Sequence, residues 1–334
     1  MGNYLVTKNR FEGDRTYSLC DIRGGIEFKL APSLGNLGYS LLFGGEEILL
    51  APKSWRTPLD RRSLGAGIPF LAPFANRIDG DAYFFQGAKY LLNESLGNLG
   101  RCSLTNYPIH GLLTGESRWK VVGAVASESA GASVTSRLEF WQYPELMAQF
   151  PFAHSIEVTY RLKRGALECA TSLQNVGAAP MPIHFGYHPY FVPDGPRADW
   201  NLHIAAKSHW IARENLIPTG KKEPTDLFLP RATRSITLGS TFIDDGFTEL
   251  QREADGRARF WVSGKSRKIE IAFGPGYGTA IVYAPLHADL ICIEPQTGPT
   301  NAFNLAHTGK FKSLTTLEPG KIFRAVYWVQ PTLL

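Results

Sequence analysis

Apolar and polar residues alternate along many short stretches of this chain. Clear examples cover residues 156–162, 269–273 and 323–329. A period of two is typical of a β-strand that buries one face. Glycine and proline, with 33 and 22 residues, lie mainly between these stretches, where they favour turns. Because no convincing run of helical period interrupts the pattern, the sequence predicts an all-β fold, a large antiparallel β-sandwich with few short helices.

The chain is long enough to bury a sizeable core. It has 334 residues, of which 44% are hydrophobic and 19% are charged, an ordinary balance for a globular protein. Large β-sandwiches of this length fold as one domain, so we expect a single domain over residues 1–334. The Ala-, Ser- and Gly-rich stretch 124–136 is interpreted as a surface hairpin rather than a domain boundary.

Charge and the start of the chain narrow the range of partners. The net charge is +5 and the basic residues are dispersed, a pattern that does not favour nucleic-acid binding. No stretch reaches the roughly 18 uninterrupted apolar residues of a membrane-spanning helix, and residues 1–6 show no secretory signal. We therefore expect a cytoplasmic location, with neither nucleic acid nor membrane as a partner.

The four cysteines, Cys20, Cys102, Cys169 and Cys292, lie far apart and form no C-x-x-C pair. This spacing argues against a zinc knuckle, a redox pair or a dense disulfide framework. The sequence predicts buried free thiols.

Candidate chemistry is concentrated in a few segments. Each places an ionisable or strongly hydrogen-bonding residue beside turn-forming and aromatic residues; they cover 74–78, 108–111, 184–191, 242–247 and 293–297. A pyranose has apolar C–H faces and a ring of hydroxyls, so aromatic rings next to polar groups suit a sugar. These segments predict a site for a small-molecule sugar.

The same segments resemble motifs of the aldose 1-epimerase (galactose mutarotase) family. Asn76-Arg77-Ile78 with the following residues to Asn93 is similar to its N-R-I-x-x-G…G-K-x-Y-x-L-x-x-N block. Further resemblances, in the family's order, are His110-Gly111 to its H-G segment, 188–191 to H-P-Y-F, 244–247 to D-x-x-F and 294–297 to E-P-Q-T. Each motif is weak by itself, but the ordered set covers most of the chain.

This resemblance implies a fold, a reaction and a set of site residues. The implied fold is the galactose mutarotase-like supersandwich, and members of the family use no metal or organic cofactor. Glu294 would be the general base and His188 the general acid, with His110 assisting. The implied substrate-binding residues are Arg77, Asp244, Asn76, Gln296 and Tyr190. Sequence alone leaves open whether Asp244 or its neighbour Asp245 faces the site.

Anomer interconversion needs residues of these types. The C1 hydroxyl must lose its proton while the ring oxygen gains one, so that the ring opens to an aldehyde, and closure on the other face reverses both transfers. A carboxylate and an imidazole, with ordinary pKa values of about 4.3 and 6.5, suit the roles of base and acid. The expected function is aldose 1-epimerase (mutarotase) activity on a hexose.

Departures from the family pattern leave the sugar open. Leu112 follows His110-Gly111 where the family commonly has a second glycine, and Val192-Pro193 stands where the best-known members have Asn-Leu. A hexose-6-phosphate 1-epimerase is therefore an alternative. The cations that a phosphate would need are Arg61, Arg62, Arg101 or Lys89.

Three other classes of function compete. A metal-dependent isomerase would use His184 and His188, four residues apart, although the segment lacks a helical H-E-x-x-H pattern. A glycosidase would use Glu294 and Asp244 as its two carboxylates. A non-catalytic carbohydrate-binding protein on the same fold would not need an acid–base pair, so the retention of Glu294 with His188 argues against it.

Overall fold

The structure is a computed structural model that describes residues 2–55 and 65–334. Its strands, in chain order, are β1 (Tyr4–Phe11), β2 (Asp14–Asp21), β3 (Ile26–Ala31), β4 (Leu37–Phe43), β5 (Glu46–Glu47), β6 (Phe70–Leu71), β7 (Ala82–Phe85), β8 (Ala88–Leu91), β9 (Gly100–Arg101), β10 (Pro108–Ile109), β11 (Lys120–Ser127), β12 (Gly131–Glu139), β13 (His154–Lys163), β14 (Ala166–Asn175), β15 (Met181–Ile183), β16 (Gly186–Tyr187), β17 (Tyr190–Phe191), β18 (Asn201–His203), β19 (Ala206–Ala212), β20 (Pro218–Pro224), β21 (Ile236–Thr237), β22 (Ile243–Leu250), β23 (Ala258–Ser263), β24 (Arg267–Phe273), β25 (Thr279–Ala284), β26 (Ile291–Gln296), β27 (Thr315–Leu317) and β28 (Ile322–Leu333).

Helices are short throughout the described residues. The α-helices are α1 (Pro144–Met147), α2 (Thr225–Phe228) and α3 (Ala302–His307), and single 3₁₀ turns cover Glu94–Leu96, Phe140–Gln142 and Arg197–Asp199. None of these helices is long and apolar enough to cross a membrane. The predicted all-β architecture with few short helices is confirmed.

Three large sheets organise the strands of the described chain. The first has the order β1-β2-β3-β4-β5, the second β11-β12-β13-β14-β28-β24-β23-β18-β21 and the third β20-β19-β22-β25-β26-β16-β6, with β17 also paired to β26. Small two-stranded sheets join β9 to β10, β15 to β27 and β7 to β8. Every pairing between these named strands is antiparallel, as the sequence predicts.

The period of two explains how the second sheet builds the core. In β13, Ile156, Val158, Tyr160 and Leu162 are fully buried while the residues between them are partly exposed. Its partner β14 buries alternate residues in the same way, in a register that pairs Tyr160 with Cys169. Side chains from one face of each strand therefore meet in a shared hydrophobic layer.

Strand β26 of the third sheet behaves differently because both of its faces are covered. All six residues of β26 are buried, so this strand has no solvent face to carry polar residues. Its polar members, Glu294 and Gln296, are consequently enclosed by protein. Polar groups retained in such a strand are costly unless they are paired, which directs attention to their surroundings.

The stretch 124–136, which the sequence predicts as a surface hairpin, does form a hairpin. Strands β11 and β12 pair from Lys120 with Arg137 to Ser127 with Gly131, joined by a tight turn at 128–130. The prediction of one domain over residues 1–334 stays a prediction.

Candidate active site

Strand register places the candidate acids on one face of the third sheet. Asp244 in β22 pairs with Tyr283 in β25, which pairs with Cys292 in β26. Paired residues share a face, and so do residues two apart in one strand. Glu294, two residues after Cys292, therefore faces the same side as Asp244.

His188 is brought over Glu294 by the two short strands on either side of it. In β16, Gly186 pairs with Gln296, and in β17, Tyr190 pairs with Cys292. The residue midway between these pairings lies opposite Glu294. The His188 Nε2 atom is 3.2 Å from Glu294 Oε1, and the Tyr190 ring stacks on the imidazole at a centroid distance of 4.4 Å.

Glu294 is held from its other side by Gln296. The amide Nε2 of Gln296 donates to Glu294 Oε2 at 3.0 Å, and both side chains are buried, Glu294 with 1% of its surface exposed. Gln296 Oε1 has no hydrogen-bond partner in the described structure. The carboxylate is thus fixed between an amide and an imidazole, which sets its orientation.

Asn76 and Arg77 link the loop after β6 to Asp244. Asn76 has a left-handed backbone (φ 57°), and its Oδ1 accepts from both the main-chain N–H (2.8 Å) and the guanidinium (3.0 Å) of Arg77. The Arg77 guanidinium then donates to Asp244 Oδ2 at 3.3 Å. Asn76 orients Arg77, and Arg77 engages the carboxylate that faces the site.

The structure directs the neighbouring acid, Asp245, away from this cluster. Its Oδ1 is 2.9 Å from His209 Nε2, and Glu223 Oε1 is 3.1 Å from the other ring nitrogen of His209. His209 is only 3% exposed and stacks on Phe228. Of the two adjacent acids, Asp244 lies on the face of Glu294.

His110 completes the cluster from the end of β10. Its backbone is left-handed (φ 64°), and its ring is nearly perpendicular to that of His188 at a centroid distance of 5.2 Å. Gly111 follows with φ 75°, and a Cβ there would lie 2.1 Å from the Ala72 carbonyl oxygen. Only glycine permits this approach, so the glycine after His110 is a backbone requirement.

Burial dominates the electrostatics of the catalytic candidates. It raises the pKa of Glu294 well above the ordinary value, an effect reinforced by the charge of Asp244 and opposed by the Gln296 hydrogen bond and by Arg77. Burial lowers the pKa of His188 to about 3, with a contribution from Arg77. It also brings the pKa of His110 well below the usual range, aided by His188 and Arg77. Without ligand, the neutral forms of these groups are favoured.

A cavity of about 720 Å³ opens beside the histidines. His188, His110 and Tyr190 lie in its wall. Arg77 and Asp244 line a neighbouring pocket of about 20 Å³, and Glu294 lies behind His188 in the wall of neither. The large cavity is of a size that holds small organic ligands.

Comparison with known proteins identifies the family of this chain. A model of the aldose 1-epimerase family matches residues 47–330. The chain belongs to the aldose 1-epimerase family.

Individual relatives are distant. The chain is 26% identical to the uncharacterized protein YihR of Escherichia coli K12 over 293 residues, 86% of this chain and 84% of that protein. It is similar to the structure of a galactose mutarotase-like protein from Clostridium acetobutylicum (TM-score 0.87, 19% identity, 99% of both chains). It is also similar to galactose 1-epimerase from Lactobacillus acidophilus NCFM (TM-score 0.76, 16% identity, 100% of this chain and 99% of that one). At these identities the structures show the fold alone, and the predicted galactose mutarotase-like supersandwich is confirmed.

The structure adds two residues to this candidate site that the sequence did not single out. Tyr283 lies beside Asp244 on the same sheet face, with its ring 6.4 Å from that of His188. Cys102 lies in the cavity wall and is only partly buried, contrary to the prediction of a buried thiol. Burial raises its pKa, but hydrogen bonds from Thr105 and Arg77 outweigh this and bring it down to about 7. Neither residue belongs to a recognisable motif, so only proximity reveals them.

The candidate phosphate-binding cations are dispersed or already paired. Arg101 lines the cavity, but its guanidinium contacts Asp81 at 2.9 Å and Glu94 at 2.5 Å. Lys89 is an exposed residue of β8, a strand that contributes no residue to the described cavity wall. Arg61 and Arg62 lie outside the described residues.

The histidines considered as metal ligands point to different partners. His184 Nε2 is 3.3 Å from the Gly298 carbonyl oxygen, whereas His188 Nε2 faces Glu294. Within residues 2–55 and 65–334, no group of three or more His, Cys, Asp or Glu side chains is arranged to hold a metal ion.

Proposed function

We propose that this protein is a mutarotase that interconverts the α and β anomers of a hexose by opening and closing the ring. Glu294 accepts the C1 hydroxyl proton and His188 donates a proton to the ring oxygen, with His110 assisting beside it. The observation that carries the proposal is the buried contact of 3.2 Å between Glu294 and His188 in a member of this family. Two groups of opposite function, directed at one point, suit a reaction that moves two protons at adjacent atoms.

The protonation states balance when the pair holds one proton throughout. Before ring opening, Glu294 is a carboxylate and His188 an imidazolium; afterwards, Glu294 is protonated and His188 neutral. Closure on the other face of the aldehyde returns both protons. Burial favours the neutral forms, because it raises the pKa of Glu294 and lowers that of His188. It thereby favours the transfers that open the ring.

Substrate binding is assigned to the groups around this pair. Arg77 and Asp244, already joined at 3.3 Å, present donors and acceptors to neighbouring hydroxyls. Asn76 and Gln296 orient Arg77 and Glu294, and the free Oε1 of Gln296 can accept from a hydroxyl. Tyr190 keeps the His188 ring in place by stacking.

Charge at the site favours an unphosphorylated sugar over a hexose 6-phosphate. The cavity arginines Arg101 and Arg118 each contact two carboxylates, those of Asp81 and Glu94 and those of Glu116 and Glu145. Their charges are therefore largely neutralised before a ligand arrives, and a phosphate would find no unpaired guanidinium among the described residues of the cavity wall.

Equilibration of freshly dissolved α-glucose, α-galactose and glucose 6-phosphate, followed by polarimetry, tests the proposal. We expect the purified protein to accelerate the free sugars at least as much as the phosphate, and Glu294→Gln to remove the acceleration. Tight sugar binding without acceleration would instead support the non-catalytic carbohydrate-binding alternative. A strong preference for glucose 6-phosphate would establish the alternative function, that of a hexose-6-phosphate 1-epimerase.

Because the proposed steps are proton transfers between side chains and sugar, dialysis against a chelator should leave the mutarotase rate unchanged. The rate would be measured before and after dialysis and again after a divalent metal is added back. If the mutarotase rate were lost on dialysis and recovered on addition of metal, the result would support the alternative of a metal-dependent isomerase.

A further inference from the structure

We propose that a second cavity, which lies on the face of the third sheet that carries Asp244 and Glu294, binds a phosphorylated sugar. This cavity has a volume of about 620 Å³ and is separate from the cavity beside His110. Such binding goes beyond the proposed function, because it does not require the protein to be a mutarotase. The proposal rests on the position of the cavity, on an excess of positive charge in its wall and on two aromatic rings at its edge.

Strand register places this second cavity at the far end of the same sheet face. Thr248 in β22 pairs with Thr279 in β25, and both residues line the cavity. Thr248 follows Asp244 by an even number of residues in one strand, so the two side chains share a face and lie roughly 13 Å apart along it. Trp210 lies between the two regions, since it lines both the second cavity and the small pocket that holds Arg77 and Asp244. A ligand in the second cavity would therefore lie apart from the proposed catalytic pair.

Positive charge exceeds negative charge in the wall of the second cavity. The cations of this wall, among the described residues, are Lys222, Arg252, Lys310 and Lys312. The one carboxylate among the same residues is that of Glu249, which forms an ion pair with Lys222 and accepts from the Ser208 hydroxyl at 2.6 Å. In the part of the chain that the structure describes, the other cations have no carboxylate partner. The arginines of the cavity beside His110, by contrast, each contact two carboxylates.

The fold holds two of these unpaired cations in place. The Arg252 guanidinium donates to three main-chain carbonyl oxygens at distances of 2.5–3.1 Å. These bonds orient the guanidinium without neutralising it, and N–H groups remain for a ligand because a guanidinium has five. The stem of Lys310 lies against Gly220, where an added Cβ would meet the Lys310 Cβ at 2.7 Å. Cations that are positioned in advance bind phosphate oxygens through charge-assisted hydrogen bonds at a smaller cost in ordering.

Two aromatic rings at the cavity edge suit the sugar part of such a ligand. Trp210 is only 4% exposed, and its Nε1 has no hydrogen-bond partner in the described structure. The half-buried Phe311 packs edge-on against it at a centroid distance of 6.4 Å. The apolar C–H face of a pyranose packs on rings of this kind, while its hydroxyls suit the threonine and serine side chains of the wall. A hexose occupies roughly 180 Å³ if each of its six CH₂O units takes the ~30 Å³ of a water molecule, so a hexose phosphate fits the cavity.

Isothermal titration calorimetry of the purified protein with glucose 6-phosphate, inorganic phosphate and glucose tests the site. We expect glucose 6-phosphate to bind more tightly than inorganic phosphate, because it engages both the cations and the aromatic rings. A large excess of glucose should not displace glucose 6-phosphate, because glucose lacks the phosphate that the cations bind.

Removal of the unpaired lysines locates the phosphate. The double variant Lys310→Gln/Lys312→Gln should raise the Kd of both phosphates by at least about tenfold, because it removes two charge-assisted contacts. Both side chains are exposed, so the fold should be unaffected. The matched control is Lys8→Gln/Lys120→Gln, which removes the same charge from exposed residues outside the cavity wall. It should change either Kd by less than about twofold.

Replacement of an aromatic ring locates the sugar. Phe311→Leu should raise the Kd of glucose 6-phosphate by about two- to tenfold and leave that of inorganic phosphate unchanged. An equal effect on both ligands, or no effect on either, would contradict the placement of the sugar on this ring.

Several other results would overturn the proposal. Equal weakening in the two double variants would show diffuse attraction to a basic protein, and displacement by glucose would place the ligand in the cavity beside His110. Inorganic phosphate that binds as tightly as glucose 6-phosphate would show a site for the free anion, and no binding of either phosphate to the folded protein would exclude the site. Mutarotation of glucose, measured on the same sample, is independent of these results, so the second cavity and the proposed function can fail separately.

Discussion

The pKa values of single residues at this site depend on burial and on the identity of one or two neighbours. Glu294 and His188 would be an ordinary ion pair on a surface, but both are enclosed, and their pKa values shift in opposite directions. In the free protein, the proton that this pair shares is therefore held by Glu294 rather than by His188. The same reasoning explains why Asp244, two strands away in the third sheet, changes the pKa of Glu294 without touching it.

Replacing the base should affect mainly the chemical step. Glu294→Gln keeps the size of the side chain and its contact with Gln296 but removes the proton acceptor, so kcat should fall by about 10²–10⁴ with a modest change in KM. His188→Asn should behave alike. The double variant should lose less than the product of the two losses, because both transfers belong to one ring opening. Polarimetric kinetics check this, and near-full activity of folded Glu294→Gln would contradict the assignment.

The charge of Asp244 should be visible in the pH profile. It raises the pKa of Glu294, so Asp244→Asn should lower that pKa and move the acidic limb of kcat/KM to lower pH. Arg77 lowers the same pKa, so Arg77→Met should move the limb to higher pH. Asp245→Asn, on the opposite face, is the matched control and should leave the limb in place. Shifts in the reverse directions would be inconsistent with this account.

At the scale of elements, short strands and tight turns position the proposed catalytic groups. The hairpin of β9 and β10 ends at His110, whose main-chain N–H donates to the Asn76 carbonyl at 3.0 Å. Leu112 N–H then donates to the Ala72 carbonyl at 2.7 Å. These bonds join the His110 turn to the loop that carries Arg77, so the positions of these two segments of the candidate site depend on each other.

Gly111→Ala should therefore damage both stability and catalysis. Its Cβ would meet the Ala72 backbone at 2.1 Å, which requires the two segments to separate. We expect a loss of at least about 3 kcal/mol in the free energy of unfolding and a fall in kcat. Gly87→Ala is the control, because Gly87 has φ 81° but nothing within 4 Å of the added Cβ. It should cost only about 1 kcal/mol. Urea denaturation of both variants checks this, and equal losses would count against the contact.

For the whole molecule, buried imidazoles link folding to pH. Burial lowers the pKa of His154 and of His184 to about 4, against an ordinary value of 6.5. Between pH 4 and pH 6.5 the unfolded chain binds more protons than the folded one. The contribution of these neutral imidazoles to the free energy of unfolding is therefore fully present above pH 6.5 and is lost as the pH falls toward 4. Each contributes on the order of 3 kcal/mol over this window. Glu294, whose pKa is raised, acts in the opposite sense.

His154→Gln should isolate one of these contributions. The amide can keep the hydrogen bond with the Phe152 carbonyl, now at 2.7 Å, but does not titrate. The free energy of unfolding of the His154→Gln variant should be lower than that of the parent at pH 7. Between pH 6.5 and pH 4.5 it should fall less than that of the parent. The exposed His287, changed to Gln, is the control and should keep the parent slope. Urea denaturation across this range provides the measurement, and an unchanged slope for His154→Gln would be evidence against the linkage.

Local regularities in the sequence determined the architecture and the pieces of the site. Alternation of apolar residues identifies strands such as β13 and β28, because side chains in a strand point to opposite faces in turn. Turn residues mark their ends, and the glycine after His110 reflects a backbone conformation that other residues adopt with strain. The ordered motifs indicated the family, since each carries a side chain for the same chemistry.

Only the tertiary structure decided which of these residues lie close to one another. Period-two alternation places Asp244 and Asp245 on opposite faces but does not say which of them shares a face with Glu294; the strand register and the contact with Arg77 show that Asp244 does. The approach of His188 to Glu294, the pairing of Arg101 with two carboxylates and the exposure of Cys102 to the cavity are all non-local. Such contacts depend on strand register and loop packing between distant segments, for which no single stretch of sequence carries a signal.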